Sequence, residues 1–263
     1  MKFEDHLINT KNIHFPHRHD FYYLLYITSG GGSHTIDFKT YPIKQNQLFF
    51  MSPGQVHEWD IKPNTKGFTL FFNKELFKTN VFKIEEEWSF FHTFFNDCSY
   101  VIPKEHQPII HNLFTLILTE NAQFSSQQQQ ITKALTSALL FKINSILNNT
   151  NNILPSSLHF QIRKFELLID ANFNSQHSVL YYANKLNITP NYLNSLCKKT
   201  VAKSAKELIN MRLLLESKRL LKHSDLSINQ ISEYLNFKST SYFIRFFKHN
   251  QFQTPFAFKH SKS

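Results

Sequence analysis

His17 and His19 flank Arg18, and His57 stands forty residues beyond His17. Alternate residues of a strand share a face, so His17 and His19 could offer two imidazoles to one ion, with His57 as a third ligand. The same three side chains would serve equally as the polar wall of a small-molecule pocket. Other chemistries lack their residues. Cys98 and Cys197 are too far apart for a metal pair or a disulfide framework, and two lone thiols suggest a reducing compartment. No Ser/His/Asp or Cys/His set has supporting spacing. The five glycines are residues 30, 31, 32, 54 and 67. A phosphate-cradling loop and a dinucleotide fingerprint both need several close glycines, so both are excluded.

The elements that must carry the histidines read as strands. Phe21–Thr28 is aromatic and apolar and stops at Ser29-Gly30-Gly31-Gly32. Ser33–Phe38, Gln47–Met51, Val56–Ile61 and Gly67–Phe72 follow, separated by Tyr41-Pro42, Ser52-Pro53-Gly54 and Pro63-Asn64. Short strands closed by turn residues indicate a β-barrel or sandwich, whose interior can hold a small ligand. Two helices are predicted next, His106–Glu120 and Ile131–Leu147, from apolar residues three and four apart. They either cap the barrel or pair two chains, or both. Gln127–Gln130 reads as a polar helix start, and the Asn-rich stretch 148–157 as a linker.

The charge changes at that linker. Residues 1–155 hold 13 Lys+Arg and 13 Asp+Glu, which balance; of the chain's 29 basic and 19 acidic residues this leaves 16 and 6 in residues 156–263, a surplus of ten. A basic half beside a neutral one suggests two domains, one of them facing a polyanion. The basic half reads as successive short helices with clear starts: Ser178, Thr189-Pro190, Ser204 with Glu207, Ser227 with Gln230, and Ser239.

It also repeats. Tyr192, Leu193, Lys198 and Ser204 recur fifty residues on as Tyr242, Phe243, Lys248 and Thr254. Each copy has a helix, a tight turn at Asn187 or Asn236, and a second helix with late basic residues. Asn tolerates positive φ and can stand for glycine in such turns. This is a duplicated helix-turn-helix, whose second helix can enter a major groove. The connector Ser204–Leu221 spans about 27 Å at 1.5 Å per residue, compatible with two readers roughly one DNA turn apart.

Ser227-Ile228-Asn229-Gln230-Ile231-Ser232, Asn236-Phe237, Ser241 to Lys248, Thr254-Pro255 and Phe258-Lys259 together resemble the C-terminal signature of the AraC/XylS family of transcription regulators, over roughly residues 165–260. The front half resembles that family's cupin-like sensor through His17-Arg18-His19, the turn at 28–32, and Ser52 to His57. Asn236, Phe252 and Ala202 stand where the family usually has glycine. The resemblance implies base contacts from Asn191, Asn194 and Ser195 in the first recognition helix, and from Thr240, Ser241 and Arg245 in the second. Lys198, Lys199 and Lys248 fall later and should meet phosphates. Tyr192, Leu193, Tyr242, Phe243, Phe246 and Phe247 are read as core, and Lys218 and Arg219 as solvated.

The histidine set also resembles that of metal cupins. The carboxylate expected after such a pair is missing, however, with Tyr22, Tyr23 and Leu24 in that stretch. No metal, cofactor or catalytic residue is therefore assigned; His17, His19, Tyr23, Tyr26, His57 and Trp59 are read as walls of an effector pocket. The expected fold is α+β in two domains. Residues 1–150 form the sensing and dimerisation domain (barrel about 10–96, helices about 103–148), 151–160 the linker, and 161–263 the all-α double helix-turn-helix. The expected protein is not an enzyme but a cytoplasmic regulator, an activator. Its expected partners are double-stranded DNA, RNA polymerase, a small molecule such as a sugar, and a second copy through helices 106–120 and 131–147. A metalloenzyme with an appended DNA-binding domain, or a regulator controlled by a protein partner through its barrel, are the alternatives. The sequence holds no apolar run that suggests a membrane span.

Overall fold

The computed structural model describes residues 1–9, 16–73, 88–91, 97–121, 125–150 and 156–261, and the chain divides into two compact units, Met1–Ile153 and Leu154–Ser263. The first unit opens with helix α1 (Phe3–Asn9) and continues through β1 (His17–Arg18), β2 (Tyr22–Ser29), β3 (Gly32–Ile36), β4 (Lys39–Pro42), β5 (Gln47–Met51), β6 (Val56–Ile61), β7 (Lys66–Phe72) and β8 (Ser99–Val101). Helices α2 (Gln107–Glu120) and α3 (Ser126–Thr150) complete it.

The strands form two four-stranded antiparallel sheets, ordered β1-β6-β3-β4 and β7-β2-β5-β8, within the barrel-or-sandwich class that the sequence indicates. Strand β2 explains the layering. Its residues Tyr23, Leu25 and Ile27 share a core with Phe49, Met51, Ile36 and Tyr41. Its other face carries Tyr22, Leu24 and Tyr26, which join Phe50 in a second core with Phe114, Ile117, Leu139 and Ile143 of α2 and α3. A strand covered on both faces needs no polar alternation, which is why FYYLLYIT reads as one apolar run. Helices α2 and α3 thus cover the sheet.

Three strand details escaped sequence reading. β4 contains Pro42 and lies at a sheet edge, where a missing N–H costs little. β8 is three residues long and pairs with Gln47–Phe49 beyond the expected barrel limit of 96. β3 stops at Ile36, because Asp37 takes φ 54° and turns the chain before Phe38. Strand β3 itself begins at Gly32, where φ is 115° and a Cβ would lie 2.1 Å from the Asp60 carbonyl oxygen. The stretches 74–87 and 92–96, placed by sequence in the barrel, lie outside the described residues, as do 151–155 of the linker.

The second unit is all helical: α4 (Ser156–Asn172), α5 (Val179–Lys185), α6 (Pro190–Val201), α7 (Ala205–His223), α8 (Ile228–Tyr234), α9 (Thr240–Gln251) and α10 (Pro255–His260). Helix α4 corrects the sequence reading, since residues 156–160 were placed in the linker. The polar Asn-rich run masked a usable signal: Ile162, Phe165 and Ile169 recur at helical spacing and are all buried. Helix α7 packs against α4, α6, α8, α9 and α10, and so lies at the centre of the unit. A charged cluster fastens it to α4. The Arg212 Nε donates to Asp170 at 2.6 Å, Arg212 Nη1 to Glu216 at 2.9 Å, and Arg219 Nη1 to Glu216 at 3.2 Å. The Arg212 guanidinium also lies 3.8 Å over the Phe173 ring. Arg219 is therefore a buried structural residue, not the solvated one its sequence position suggested.

Burial pushes the Glu166 carboxyl up to about 8, outweighing the attraction of the Arg163 guanidinium at 4.0 Å. A raised acid holds its proton in the folded state while the unfolded chain has lost it. Stability from this group is full below the unfolded value near 4.5 and is lost as pH climbs toward about 8. Thermal unfolding at pH 5 and pH 8 should show this decline, and Glu166→Gln should reduce it and raise Tm at pH 8. Parallel slopes for the two proteins would refute the assignment.

Candidate nucleic-acid interface and histidine cluster

Two helices present the basic half's polar residues, and both are set by the same local devices. Each is preceded by an Asn in the left-handed region, Asn187 at φ 55° and Asn236 at φ 53°. Each has a side-chain N-cap: the Tyr192 N–H donates to Thr189 Oγ1, and the Tyr242 N–H to Ser239 Oγ, both at 3.2 Å. Each ends on another left-handed residue, Ala202 at φ 55° and Phe252 at φ 57°, where the family usually has glycine. The next helices are capped at the same offset, by Ser204 and Thr254. Leu193 and Cys197 in α6, and Phe243 and Phe247 in α9, are fully buried. The fifty-residue repeat thus extends to caps, turns and core.

Burying one face of each helix leaves the other to solvent. On α6, Asn191, Asn194, Ser195, Lys198 and Lys199 line one open hollow. Asn191, Ser195 and both lysines are exposed, whereas Asn194 is half-buried and its Oδ1 accepts from the Ala205 N–H at 3.0 Å. On α9, Ser241, Arg245 and Lys248 are exposed at the equivalent positions. Thr240 is half-buried and its hydroxyl donates to Asn229 Oδ1 at 2.5 Å. The Arg245 side chain is exposed, with its guanidinium 5.9 Å over the Tyr242 ring. Tyr192 and Tyr242, assigned to the core from sequence, are 44% and 51% exposed. Both come two residues after the residue that starts their helix, and the neighbouring Leu193 or Phe243 takes the inward position instead. Phe246 is half-buried.

The histidines meet in the first unit. Strand pairing sets His17 opposite His57, and the ligand atoms of His17, His19 and His57 lie within 4.8 Å of one another. His19 Nε2 is 3.0 Å from His57 Nε2, and His34 Nε2 is 3.1 Å from His57 Nδ1. The Trp59 indole N–H donates to His57 Nδ1 at 2.8 Å. His34 joins the cluster from β3, a residue that sequence reasoning missed; its place opposite Trp59 in the β3–β6 ladder supplies the contact. Burial above all, then the neighbouring histidines, lowers His19 to about 4 and His34 to about 3, and holds His57 well below the usual imidazole range. These rings are therefore neutral near pH 7, with lone pairs to offer. Tyr23 is buried beside them, its ring centroid 5.9 Å from that of His57. Tyr26 does not share this space. Three residues along the strand it points to the opposite face, donates to Asn46 Oδ1 at 3.0 Å and stacks on Phe114.

The chain matches the AraC-like ligand binding domain over residues 7–143 and a helix-turn-helix domain over residues 182–261. It belongs to the AraC family of transcription regulators. It is 28% identical over 148 residues to the HTH-type transcriptional regulator YijO of Escherichia coli K12, covering 56% of this chain and 51% of that one. It therefore spans about half the length of that relative. It is 24% identical over 256 residues to the regulator YfiF of Bacillus subtilis, covering 92% of this chain and 78% of that protein. Among solved structures, ToxT from Vibrio cholerae aligns with a TM-score of 0.45 and 15% identity, over 92% of this chain and 90% of that one. Among the described residues, no helix is long and apolar enough to cross a membrane.

Phe252 offers a test of the shared cap. It is 93% exposed and so adds little packing, yet it occupies a left-handed conformation that costs an L-residue about 1–2 kcal/mol. Glycine removes that cost and gives back roughly 0.5–1 kcal/mol through the unfolded chain. Phe252→Gly should raise stability in urea titration by up to about 1 kcal/mol. A clear loss of stability would mean that Phe252 holds the unit together by contacts the fold does not display.

Proposed function

We propose that the chain is a DNA-binding transcription regulator whose second unit reads double-stranded DNA and whose first unit responds to a small ligand. One observation carries this reading: two equivalent helices fifty residues apart each bury one face and expose a row of hydrogen-bonding and basic side chains. The helix fits a major groove in width, and its N-terminal residues reach base edges. Asn191 and Ser195 in one helix, and Ser241 and Arg245 in the other, are the base-reading residues. Arg suits guanine bidentately, and Asn suits adenine. Asn194 takes part through its amide NH2, since its oxygen is engaged by Ala205, and Thr240 takes part while held by Asn229. Lys198, Lys199 and Lys248 contact phosphate and supply affinity that depends on salt.

The sensing unit runs over about residues 1–150 and the DNA-binding unit over about 161–263. A second copy pairs through α2 and α3, where Ile109, Leu116, Ile131 and Phe141 are apolar and exposed. Acting as an activator, the dimer meets RNA polymerase on cytoplasmic DNA. A ligand works only by binding one arrangement of the two units more tightly than another. The aromatic and imidazole walls around Trp59 do not favour a sugar over another ligand.

Binding fragments recovered by mapping bound DNA across the genome provide the substrate for testing. Arg245→Ala should relax base preference in one half of the site, with a cost of about 1–3 kcal/mol against the preferred base. Lys248→Ala should weaken all sequences alike and reduce the salt slope by about 1. Equal loss on specific and random DNA for Arg245→Ala would remove its assigned role.

A further inference from the structure

We propose that His17, His19 and His57 form a binding site for a divalent late first-row transition ion such as zinc, nickel or cobalt. This deepens the reading of the first unit as a sensor by naming the chemical class of what it binds. Three nitrogen ligands from β1, from the residue that follows it and from β6 converge with donor atoms within 4.8 Å of one another. In a tetrahedral site with bonds of about 2.0–2.1 Å, donors sit about 3.4 Å apart. The 3.0 Å between His19 and His57 already meets that spacing, and half-exposed His17 needs to close by little more than an ångström. All three ligands are imidazole nitrogens, which suit these ions better than they suit magnesium or calcium. An open hollow lined by Arg18, His19, Asp20, Pro53 and Gly54 adjoins the site and gives an ion its entry path. Three protein ligands leave a fourth position for water or an exchangeable anion.

The Tyr23 hydroxyl and His34 Nδ1 are buried with no hydrogen-bond partner among the described residues, and both rings adjoin that of His57. The hydrogen bonds also show how an ion would be felt. Indole N–H is only a donor, so the bond from Trp59 makes His57 Nδ1 an acceptor and puts the His57 proton on Nε2, facing His19. An ion at Nε2 takes that proton's place. His57 stays neutral with its proton on Nδ1, and His34 Nε2 accepts it at 3.1 Å once the His34 proton has moved from Nε2 to Nδ1. No proton is gained or lost overall, and Trp59 loses its acceptor. Trp59 stacks on Phe3 of α1 at 5.1 Å, so the displaced indole acts directly on the N-terminal helix.

The test uses the purified full chain, stripped with a chelator and titrated with cobalt(II) in the absence of DNA. One ion per chain, an intense visible absorption of a low-coordinate nitrogen site and a change in tryptophan emission are expected. His17→Ala and His19→Ala, both at half-exposed positions, should each weaken binding by more than the roughly 10–100-fold that outer-shell partners carry. His111→Ala, on an exposed face of α2, should not. A weak octahedral spectrum in the unaltered chain, or binding that survives His17→Ala and His19→Ala, overturns the site and leaves only scattered surface histidines. DNA binding is measured separately on the stripped chain, so a chain that binds DNA but no metal fails this inference and keeps the regulator reading, and the reverse result does the opposite.

Discussion

Everything the second unit can do rests on one helix being shared by two modules. α7 is 19 residues long, about 28 Å at 1.5 Å per residue, and helical neighbours on all sides contact it. Its apolar residues Leu208, Ile209 and Leu213 are buried toward one end, and Leu220 and Leu221 toward the other. Burial of each such side chain contributes roughly 1.5–3 kcal/mol, so neither module can let go of the rod without exposing it. Arg212 adds direction to this non-directional glue. It holds Asp170 of α4 and Glu216 of α7 together while stacking on Phe173, and Glu216 is held again by Arg219. The Arg212–Glu216–Arg219 part of this group is buried and adds little net stability, but losing Glu216 strands buried charge and costs about 3–5 kcal/mol. It therefore fixes where α4 sits along the rod.

The first unit follows a different rule. Its central strand β2 is covered on both faces, by the opposing sheet and by α2 and α3. That leaves few places for polar groups, and the histidine cluster occupies one of them, at the ends of β1 and β6. Burial, and after it the neighbouring histidines, lowers His19 and His57 from the usual imidazole range.

Much of this was legible in the residues, for identifiable reasons. Caps and turns announce themselves locally, so Thr189, Ser204, Ser227, Ser239 and the two left-handed asparagines were readable one by one. Gln47–Met51 and Val56–Ile61 were readable because turn residues bound them on both sides. What was not legible depends on partners distant in sequence. β8 and β4 are too short to show a period, and α4 begins inside a polar run. Tyr26 was placed in the pocket because its strand has no polar alternation to say which face is which. His34 entered the histidine cluster only through pairing of β3 with β6.

The repeat has a consequence for symmetry. Its two copies share caps, left-handed closures and the positions of their buried residues, and differ at two outward positions: Asn191 and Ser195 in one, Ser241 and Arg245 in the other. A surface made of two unlike halves has a front and a back. If these residues read bases as proposed, a single chain would be a vectorial reader, able to distinguish a stretch of duplex from the same stretch turned end for end.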